Sequence, residues 1–324
     1  ENGVFQLKWC NQDGDRLYDQ DTAQAIKETL ETKKHGVIQS LTQKQIKEKA
    51  PLLYDLTELQ KDANKQFKYS ADETLKLMQS LYERHKVLSY PRTSSRYLSQ
   101  DVASTLPRLL DTISAIEPLK THIDAIKENG WGISKRLVDD KKVTDHHAII
   151  PTDQRPNIDS LSNDEKNIYL MVLNRFLAAF YPDCRKDHTE IIGAFGDHLA
   201  KATGTMITDQ GWRAIYGIDA SDPLLPLVSE KDAITQKKLT VKSGKTKAPP
   251  LYTEATILAA METAGKTIED EELRQAMKDC GLGTPATRAQ IIEKLIQVKY
   301  ILREKNKLSP DLCNRCRSRG RTYF

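Results

Sequence analysis

Tyr90 stands directly before a proline and two residues before Arg92, in the run Val87-Leu-Ser-Tyr-Pro-Arg-Thr-Ser-Ser-Arg-Tyr-Leu98. Pro91 disfavours helical geometry at Tyr90, so the phenol is expected to leave a preceding helix on an extended segment. Arg92 offers a planar fork that grips a phosphate through two parallel hydrogen bonds. Ser89, Thr93 and Ser94 add neutral donors on either side. A tyrosine projected from a bend beside such a fork has the equipment to attack a phosphodiester. Taken alone, Tyr90 is equally compatible with packing.

Other runs carry chemistry of the same kind. Asp145-His146-His147 precedes the apolar Ala148-Ile-Ile150 and the stop Pro151-Thr152. Near neutral pH an imidazole donates to a phosphate oxygen or passes a proton, and Asp145 is placed to orient one ring. A lone histidine is more often structural, but a tandem pair in this setting is more specific. In Gly281-Leu-Gly-Thr-Pro-Ala-Thr-Arg-Ala-Gln-Ile-Ile292, Thr284 fits an N-cap and Pro285 the first helical turn. The free amides of such a start attract an anion, and Thr287 and Arg288 add side-chain donors. Plain capping is the alternative there. Two further runs are Pro51-Leu-Leu-Tyr-Asp-Leu-Thr-Glu-Leu-Gln60, continuing through Gln79-Ser-Leu-Tyr-Glu83, and Pro249-Pro-Leu-Tyr-Thr-Glu-Ala-Thr256.

Taken in chain order, from about residue 1 to residue 308, these motifs resemble those of type IA DNA topoisomerases, especially the topoisomerase III branch. The resemblance implies that Tyr90 becomes joined to a DNA 5′ phosphate, with Arg92 on the phosphate. It assigns His146, rather than His147, to the scissile phosphate, and places Glu83 near the reacting group. Gln79, Ser89, Thr93, Thr284, Thr287 and Arg288 become candidate contacts to single-stranded DNA. It implies Mg²⁺, with ligands expected in an N-terminal Toprim domain that has no counterpart in this sequence, and no ATP. No metal ligands are expected in this chain: Asp13-Gly-Asp15 reads as a turn, and Glu269-Asp-Glu-Glu272 as a charged helix face. Single-stranded DNA is the implied partner, with helicase or single-strand-binding proteins as further candidates. Three positions depart from the family pattern. Ser94 replaces an acid, Leu251 an arginine, and Val298-Lys299-Tyr300 an Arg-Gly-Tyr sequence.

Two other tyrosine chemistries fit less well. Tyrosine recombinases place their catalytic Arg and His residues before the tyrosine, whereas Tyr90 precedes the histidines here. Rolling-circle nucleases need an apolar spacer between two histidines, which His146-His147 lacks. A non-catalytic module that only holds single-stranded DNA stays open as the alternative for a chain without a Toprim domain.

The elements that must position these residues are read from pattern. Residues 4–9 suggest a strand and 21–32 a helix capped by Asp21. Val37 opens a long strand with a solvated face, and residues 50–56 read as a linker. Thr57, with Gln60, and Ser70, with Glu73, each fit a capping box. Leu75, Met78, Leu81 and Tyr82 give the second of these helices an apolar stripe that ends near Lys86. Residues 101–129 are expected as two helical pieces broken near Pro118, and 161–180 as another helix. Segments 191–195, 199–207 and 211–216 read as strands, 229–247 as two strand-like pieces, and the chain from Thr253 as helical.

The expected fold class is mixed α and β and multidomain: a type IA topoisomerase torus. A helical tyrosine-bearing domain is inserted into a β-rich arch, followed by a helical DNA-binding domain. The expected boundaries are 1–35 with 245–310 for the DNA-binding gate, 36–57 with 183–244 for the arch, 58–182 for the tyrosine-bearing domain, and 311–324 for a basic tail.

Composition bounds these readings. The 324 residues suffice for two or three domains. The net charge is +4, from 49 basic and 45 acidic side chains, too mild to attract nucleic acid unless the basic groups are gathered on one surface. There is no apolar run long enough to span a membrane and no signal peptide at the start, so the chain is read as a cytoplasmic protein. Five scattered cysteines suit a reducing compartment. Cys313 and Cys316 form a single C-x-x-C pair, half of what a zinc ribbon needs. The opening residue is Glu1 rather than methionine, and the chain is read as a fragment.

Overall fold

The computed structural model describes residues 3–143, 145–155, 157–217, 225–267, 272, 274–275 and 281–311. Thr144, Cys280, most of the acidic run at 269–272 and the tail from 312 onward, with Cys313 and Cys316, lie outside the described residues. The chain divides into two units, Glu1–Ala50 with Pro182–Ala248 and Pro51–Tyr181 with Pro249–Phe324.

The first unit is built on a five-stranded antiparallel sheet. Its strands are β1 (Lys8–Cys10), β2 (His35–Glu48), β3 (Cys184–Phe195), β4 (His198–Asp209) and β5 (Ala233–Thr235), in the order β1-β4-β3-β2-β5. β2 and β3 are the long pair, running from Val37 opposite Ala194 to Glu48 opposite Cys184, with an irregularity between Ile38 and Ser40. Ile38, Ile191 and Ala202 are buried under Phe5, Leu7, Leu41, Leu225, Val228 and Ile234. The polar residues of β2 answer to its other, solvated face. Helix α1 (Gln20–Thr32) is capped by Asp19, whose carboxylate accepts from the Thr22 amide at 2.7 Å, and not by Asp21 as the sequence suggests. The segment 211–216 is a stretch of 3₁₀ turns and not a strand. Gly211 enters it at φ 48°, where a side chain would sit 2.5 Å from the Pro182 carbonyl. The turns bring Trp212 Nε1 to the Glu48 carbonyl at 2.9 Å, and the Arg213 guanidinium spans both Glu48 carboxylate oxygens.

The second unit is mainly helical. In chain order it contains α2 (Leu56–Phe67), α3 (Ala71–Glu83), α4 (Gln100–Ile113), α5 (Glu117–Glu128), α6 (Asn163–Ala178), α7 (Glu254–Glu262) and α8 (Pro285–Gln297), followed by the hairpin β6 (Ile301–Glu304) and β7 (Lys307–Pro310). The hairpin falls where the sequence pattern reads helix. Its four-residue strands turn on Lys305 at φ 56°, too short for an alternating pattern to show. Ser70 and Glu73 close a capping box on α3, and Ser162 and Glu165 do the same on α6. α2 starts two residues earlier than its sequence signature: Asp55, not Thr57, is the cap and accepts from the Glu58 amide at 2.7 Å. Thr57 and Gln60 are buried inside the helix, and Gln60 Nε2 donates to the Ala71 carbonyl. α3 packs on α2, α6 and α8, and α2 on α7. Leu53, Leu56, Leu59, Met78, Leu81, Leu88, Tyr169 and Phe176 are fully buried. A second apolar cluster joins Ala71 to Leu258, Met261, Ala289, Ile292 and Leu308.

Candidate active site

The path from α3 to Tyr90 is fixed residue by residue. The amides of Arg84 and His85 both return to the Ser80 carbonyl, which closes α3. Lys86 takes φ 60°, an uncommon value for a residue with a side chain, and the Val87 amide bonds back to the Leu81 carbonyl at 3.0 Å. The chain then reverses into an extended course with Val87 and Leu88 buried. The His146 run lies alongside it: the Ser89 amide donates to the Ile150 carbonyl at 2.9 Å, the Ile150 amide to Ser89 Oγ at 3.0 Å, and the Thr152 amide to the Val87 carbonyl at 3.0 Å. Two segments some sixty positions apart thus form one short antiparallel pairing, with Tyr90 emerging from it ahead of Pro91.

The Tyr90 ring is half-buried between two others. The His146 imidazole lies with its centroid 4.2 Å away, tilted by 35°. Tyr82, on the last turn of α3, meets Tyr90 edge to face at 5.6 Å, an orientation aromatic pairs favour. These contacts restrict the phenol without consuming its hydroxyl. His146 is exposed, and Arg92 is exposed two residues beyond the tyrosine. Among the described residues neither the Arg92 nor the Glu83 side chain makes a hydrogen bond or ion pair, so both retain their full capacity for a ligand. His147 points elsewhere: its Nδ1 is 2.7 Å from the Ala148 carbonyl, and burial pushes its imidazole below the usual histidine range, although that carbonyl acts in the opposite sense.

The remaining sequence-nominated residues fall into two groups. Ser89 and Thr93 belong to the same constellation, but their hydroxyls are engaged inside the protein. Ser89 Oγ accepts from Ile150, and Thr93, buried, donates to the His146 carbonyl at 3.0 Å and accepts from the Ser95 amide. Gln79 is half-buried and Glu83 exposed, on the α3 end that leads to Tyr90. Thr284, Thr287 and Arg288 form the start of α8. The Thr284 amide donates to Thr287 Oγ1 at 2.9 Å, and both threonines are exposed. Arg288 is buried, donating through Nε to the Leu282 carbonyl and through Nη1 to Thr57 Oγ1 at 3.0 Å. Gly281 and Gly283, at φ 60° and 69°, make the tight approach to this start. Of the departures from the family pattern, Ser94, Leu251 and Tyr300 are exposed, and Lys299 takes φ 58°.

Sequence reasoning passed over Tyr82 and Asp55. Tyr82 was visible only as a member of the α3 stripe. Asp55 was signalled by Asp-x-x-Glu, the same capping pattern that Thr57 and Gln60 imitate two residues on. Among the described residues no three His, Cys, Asp or Glu side chains gather in a way that fits a metal ion. Nor is any described helix long and apolar enough to cross a membrane.

A family model described as DNA topoisomerase matches residues 2–313. DNA topoisomerase 3 of Bacillus subtilis is 38% identical over 301 residues, covering 90% of this chain and 41% of that protein. DNA topoisomerase 3 of Shouchella clausii is 39% identical over 294 residues, covering 89% of this chain and 40% of that protein. The chain therefore spans about two fifths of the length of these relatives. Full-length topoisomerase I of Thermotoga maritima superposes with a TM-score of 0.66 over 94% of this chain and 47% of that one, at 20% identity. That likeness establishes the mixed helix-and-sheet multidomain fold.

Proposed function

The chain belongs to the type IA DNA topoisomerase family, in its topoisomerase III-like branch, and we propose that it supplies the nucleophile, Tyr90, for transient cleavage of single-stranded DNA. The supporting observation is the Tyr90 ring lying against His146, centroids 4.2 Å apart, beside an exposed Arg92 whose side chain has no partner among the described residues. In this reading the phenol oxygen attacks phosphorus, the P–O bond to the 3′ oxygen breaks, and a 5′-phosphotyrosyl ester forms. Attack by the freed 3′ hydroxyl reverses the step. The ester retains the energy of the bond it replaced, so resealing needs no ATP.

Each residue has a task in that exchange. A free phenol has a pKa of about 10, so it must lose its proton as the bond forms. His146 lies tilted against the ring and is not hydrogen-bonded to the hydroxyl, a placement that suits donation to a phosphate oxygen better than abstraction of the phenol proton. Arg92 spreads positive charge over the phosphate as negative charge builds. Glu83, exposed at the end of α3, is the carboxylate available for proton exchange with solvent. Thr284 and Thr287 offer donors for the strand backbone at the start of α8. Mg²⁺, the ion the family implies, would support rejoining. The described residues offer it no fitting ligand set, and the steps assigned here are those of the chain's own side chains. Residues 58–182 are the tyrosine-bearing block in this scheme. The substrate is single-stranded cytoplasmic DNA, exposed by a helicase or held by a single-strand-binding protein.

The test is covalent trapping. The chain is mixed with end-labelled single-stranded DNA and denatured, and labelled protein is sought in the native chain and in Tyr90→Phe. A band lost in the variant supports the assignment. A band that persists in Tyr90→Phe removes it. Binding with no band in either protein favours the reading of this chain as a single-strand-binding module without cleavage.

A further inference from the structure

We propose that Arg175 on α6 is a positioning residue for the Tyr90 and His146 pair, acting through Tyr54 and Asp62. The proposal rests on the assignment of Tyr90 as nucleophile. Arg175 is not a catalytic residue in this account: it holds backbone from which the reacting loops hang.

A charged side chain is seldom buried without partners, and Arg175 is 8% exposed. Three of its contacts converge on residues 52–54 and the carboxylate that holds them. Nη2 meets Asp62 Oδ2 at 2.5 Å, and Nη1 donates to the Leu52 carbonyl at 3.2 Å. The guanidinium carbon lies 4.1 Å from the centre of the Tyr54 ring. The Tyr54 hydroxyl donates to the same Asp62 oxygen at 3.0 Å, while the exposed Lys65 faces the other oxygen, Oδ1, at 3.2 Å. Tyr54, buried, is thus fixed by its hydroxyl at Asp62 and by its ring face at Arg175.

The backbone of Tyr54 is a rung to the active site. Tyr54 pairs antiparallel with Ile149, whose amide donates to the Tyr54 carbonyl at 2.8 Å. Ile149 lies three residues beyond His146. Its neighbour Ile150 exchanges bonds with Ser89, the residue before Tyr90. Two positions along from Tyr54, the Leu56 amide donates to the Thr93 carbonyl at 3.1 Å, and Thr93 Oγ1 donates to the His146 carbonyl. A displacement of residues 52–54 therefore reaches the His146 loop directly, and the contact of the His146 and Tyr90 rings depends on where that loop stands.

An ion pair that served only to fasten α6 to α2 would need Asp62 alone. The bond to Leu52 and the stack on Tyr54 aim the guanidinium at the segment that carries the rung. Arginine suits this set because its planar fork reaches two oxygens while its face covers an aromatic ring. Lysine keeps the charge opposite Asp62 but is a point donor, and it gives up the directed geometry.

The test compares the native chain with Arg175→Lys and Tyr54→Phe by NMR, reading the ring-to-ring cross-peaks of Tyr90 and His146. Phe67 and Tyr69, whose rings stack at 5.4 Å at the end of α2, serve as the reference. Arg175→Lys should lose most of the Tyr90–His146 intensity while the Phe67–Tyr69 cross-peaks stay native. Tyr54→Phe removes one hydroxyl and should cause a smaller loss of the same kind. A native Tyr90–His146 cross-peak in Arg175→Lys, or a loss matched at Phe67–Tyr69, overturns the proposal. If that variant does not fold, a native cross-peak in Tyr54→Phe overturns it. Adduct formation, where the native chain shows it, should slow by about tenfold or more in Arg175→Lys at unchanged single-strand affinity, because small misplacements weigh on chemistry more than on binding. Equal losses of rate and affinity also overturn the proposal. Failure of the nucleophile assignment is read separately, as an adduct that survives in Tyr90→Phe.

Discussion

The hydroxyl of Thr93 donates to the backbone carbonyl of His146 across 3.0 Å, joining residues 53 positions apart. The same hydroxyl accepts from the Ser95 amide at 3.0 Å. One buried oxygen therefore sets the separation of the two loops whose rings meet at Tyr90 and His146. The sequence pattern nominates Thr93 as a contact to DNA. In the structure its side chain turns inward, to the His146 carbonyl and the Ser95 amide.

Thr93→Val keeps the shape and removes both bonds, leaving the Ser95 amide and the His146 carbonyl without this partner. The expected loss of stability is about 1–3 kcal/mol. Tyr90 adduct formation should fall more steeply than single-strand binding, and Thr93→Ser should restore both. Denaturant titration and adduct yield measure the two effects. An adduct yield that falls no more than binding would contradict the assigned role.

Arg92 and Arg288 should separate in salt. Each phosphate neutralised on a single strand contributes a slope of about −0.7 to log K against log[salt]. Arg92→Ala should therefore flatten the slope by about that amount, with little loss of stability. Arg288 is 4% exposed and bound to Leu282 and Thr57. Arg288→Ala should leave the slope unchanged and lower the unfolding free energy by about 2–4 kcal/mol, the range for breaking a buried hydrogen-bonded charge. A flattened slope for Arg288→Ala would mean that the side chain swings out to the strand.

The reach of the sequence shows in particular residues. Ser70 and Glu73 announced the start of α3 because a capping box is a local device, complete within four residues. Tyr90 was legible because Pro91 constrains its neighbour regardless of the rest of the fold. Thr57 misled because its capping signature is also local, and tertiary burial of Thr57 and Gln60 overrode it in favour of Asp55. The 211–216 segment alternates like a strand, yet Gly211 and the bonds of Trp212 and Arg213 to Glu48 curl it. The meeting of Tyr90 with Tyr82 and His146 depends on pairing between distant segments, which no window of sequence displays.

Asp55 should be a liability to stability at neutral pH. Its carboxyl is raised from an ordinary value of 3.8 to about 6 by burial, so the folded state holds its proton more tightly than the unfolded chain. That contribution is fully present below about 3.8 and is lost as pH rises through about 6. Asp55→Asn should therefore stabilise the protein at pH 7.5 by about 1–3 kcal/mol relative to the native chain, with the advantage shrinking toward pH 5. Thermal unfolding at the two pH values checks the sign, and an advantage that grows on acidification would refute it.

Glu165 should behave in the opposite sense. It completes the α6 capping box with Ser162, accepts from Ser80 Oγ on α3 at 2.6 Å, and lies 3.3 Å from His85 Nε2 at ion-pair distance. Burial works against its charge, but Ser80, Ser162 and His85 together hold the carboxyl down at about 2. The stabilisation is thus present above about 4.5 and is lost as pH falls through about 2. Glu165→Gln preserves a capping-box side chain but forfeits the charge, and should lower the unfolding free energy at pH 7 by about 1–3 kcal/mol. At pH 3.5 the deficit should be smaller, because the native chain is then losing the same term. Ser80 lies on the last turns of α3, and its carbonyl receives the Arg84 and His85 amides that release the chain toward Tyr90. The variant should therefore also broaden the Tyr90 ring signals at pH 7 while those of Trp212, in the sheet unit, stay sharp. Equal broadening at both rings would mean general loosening and not a role for Glu165 in anchoring the Tyr90 approach.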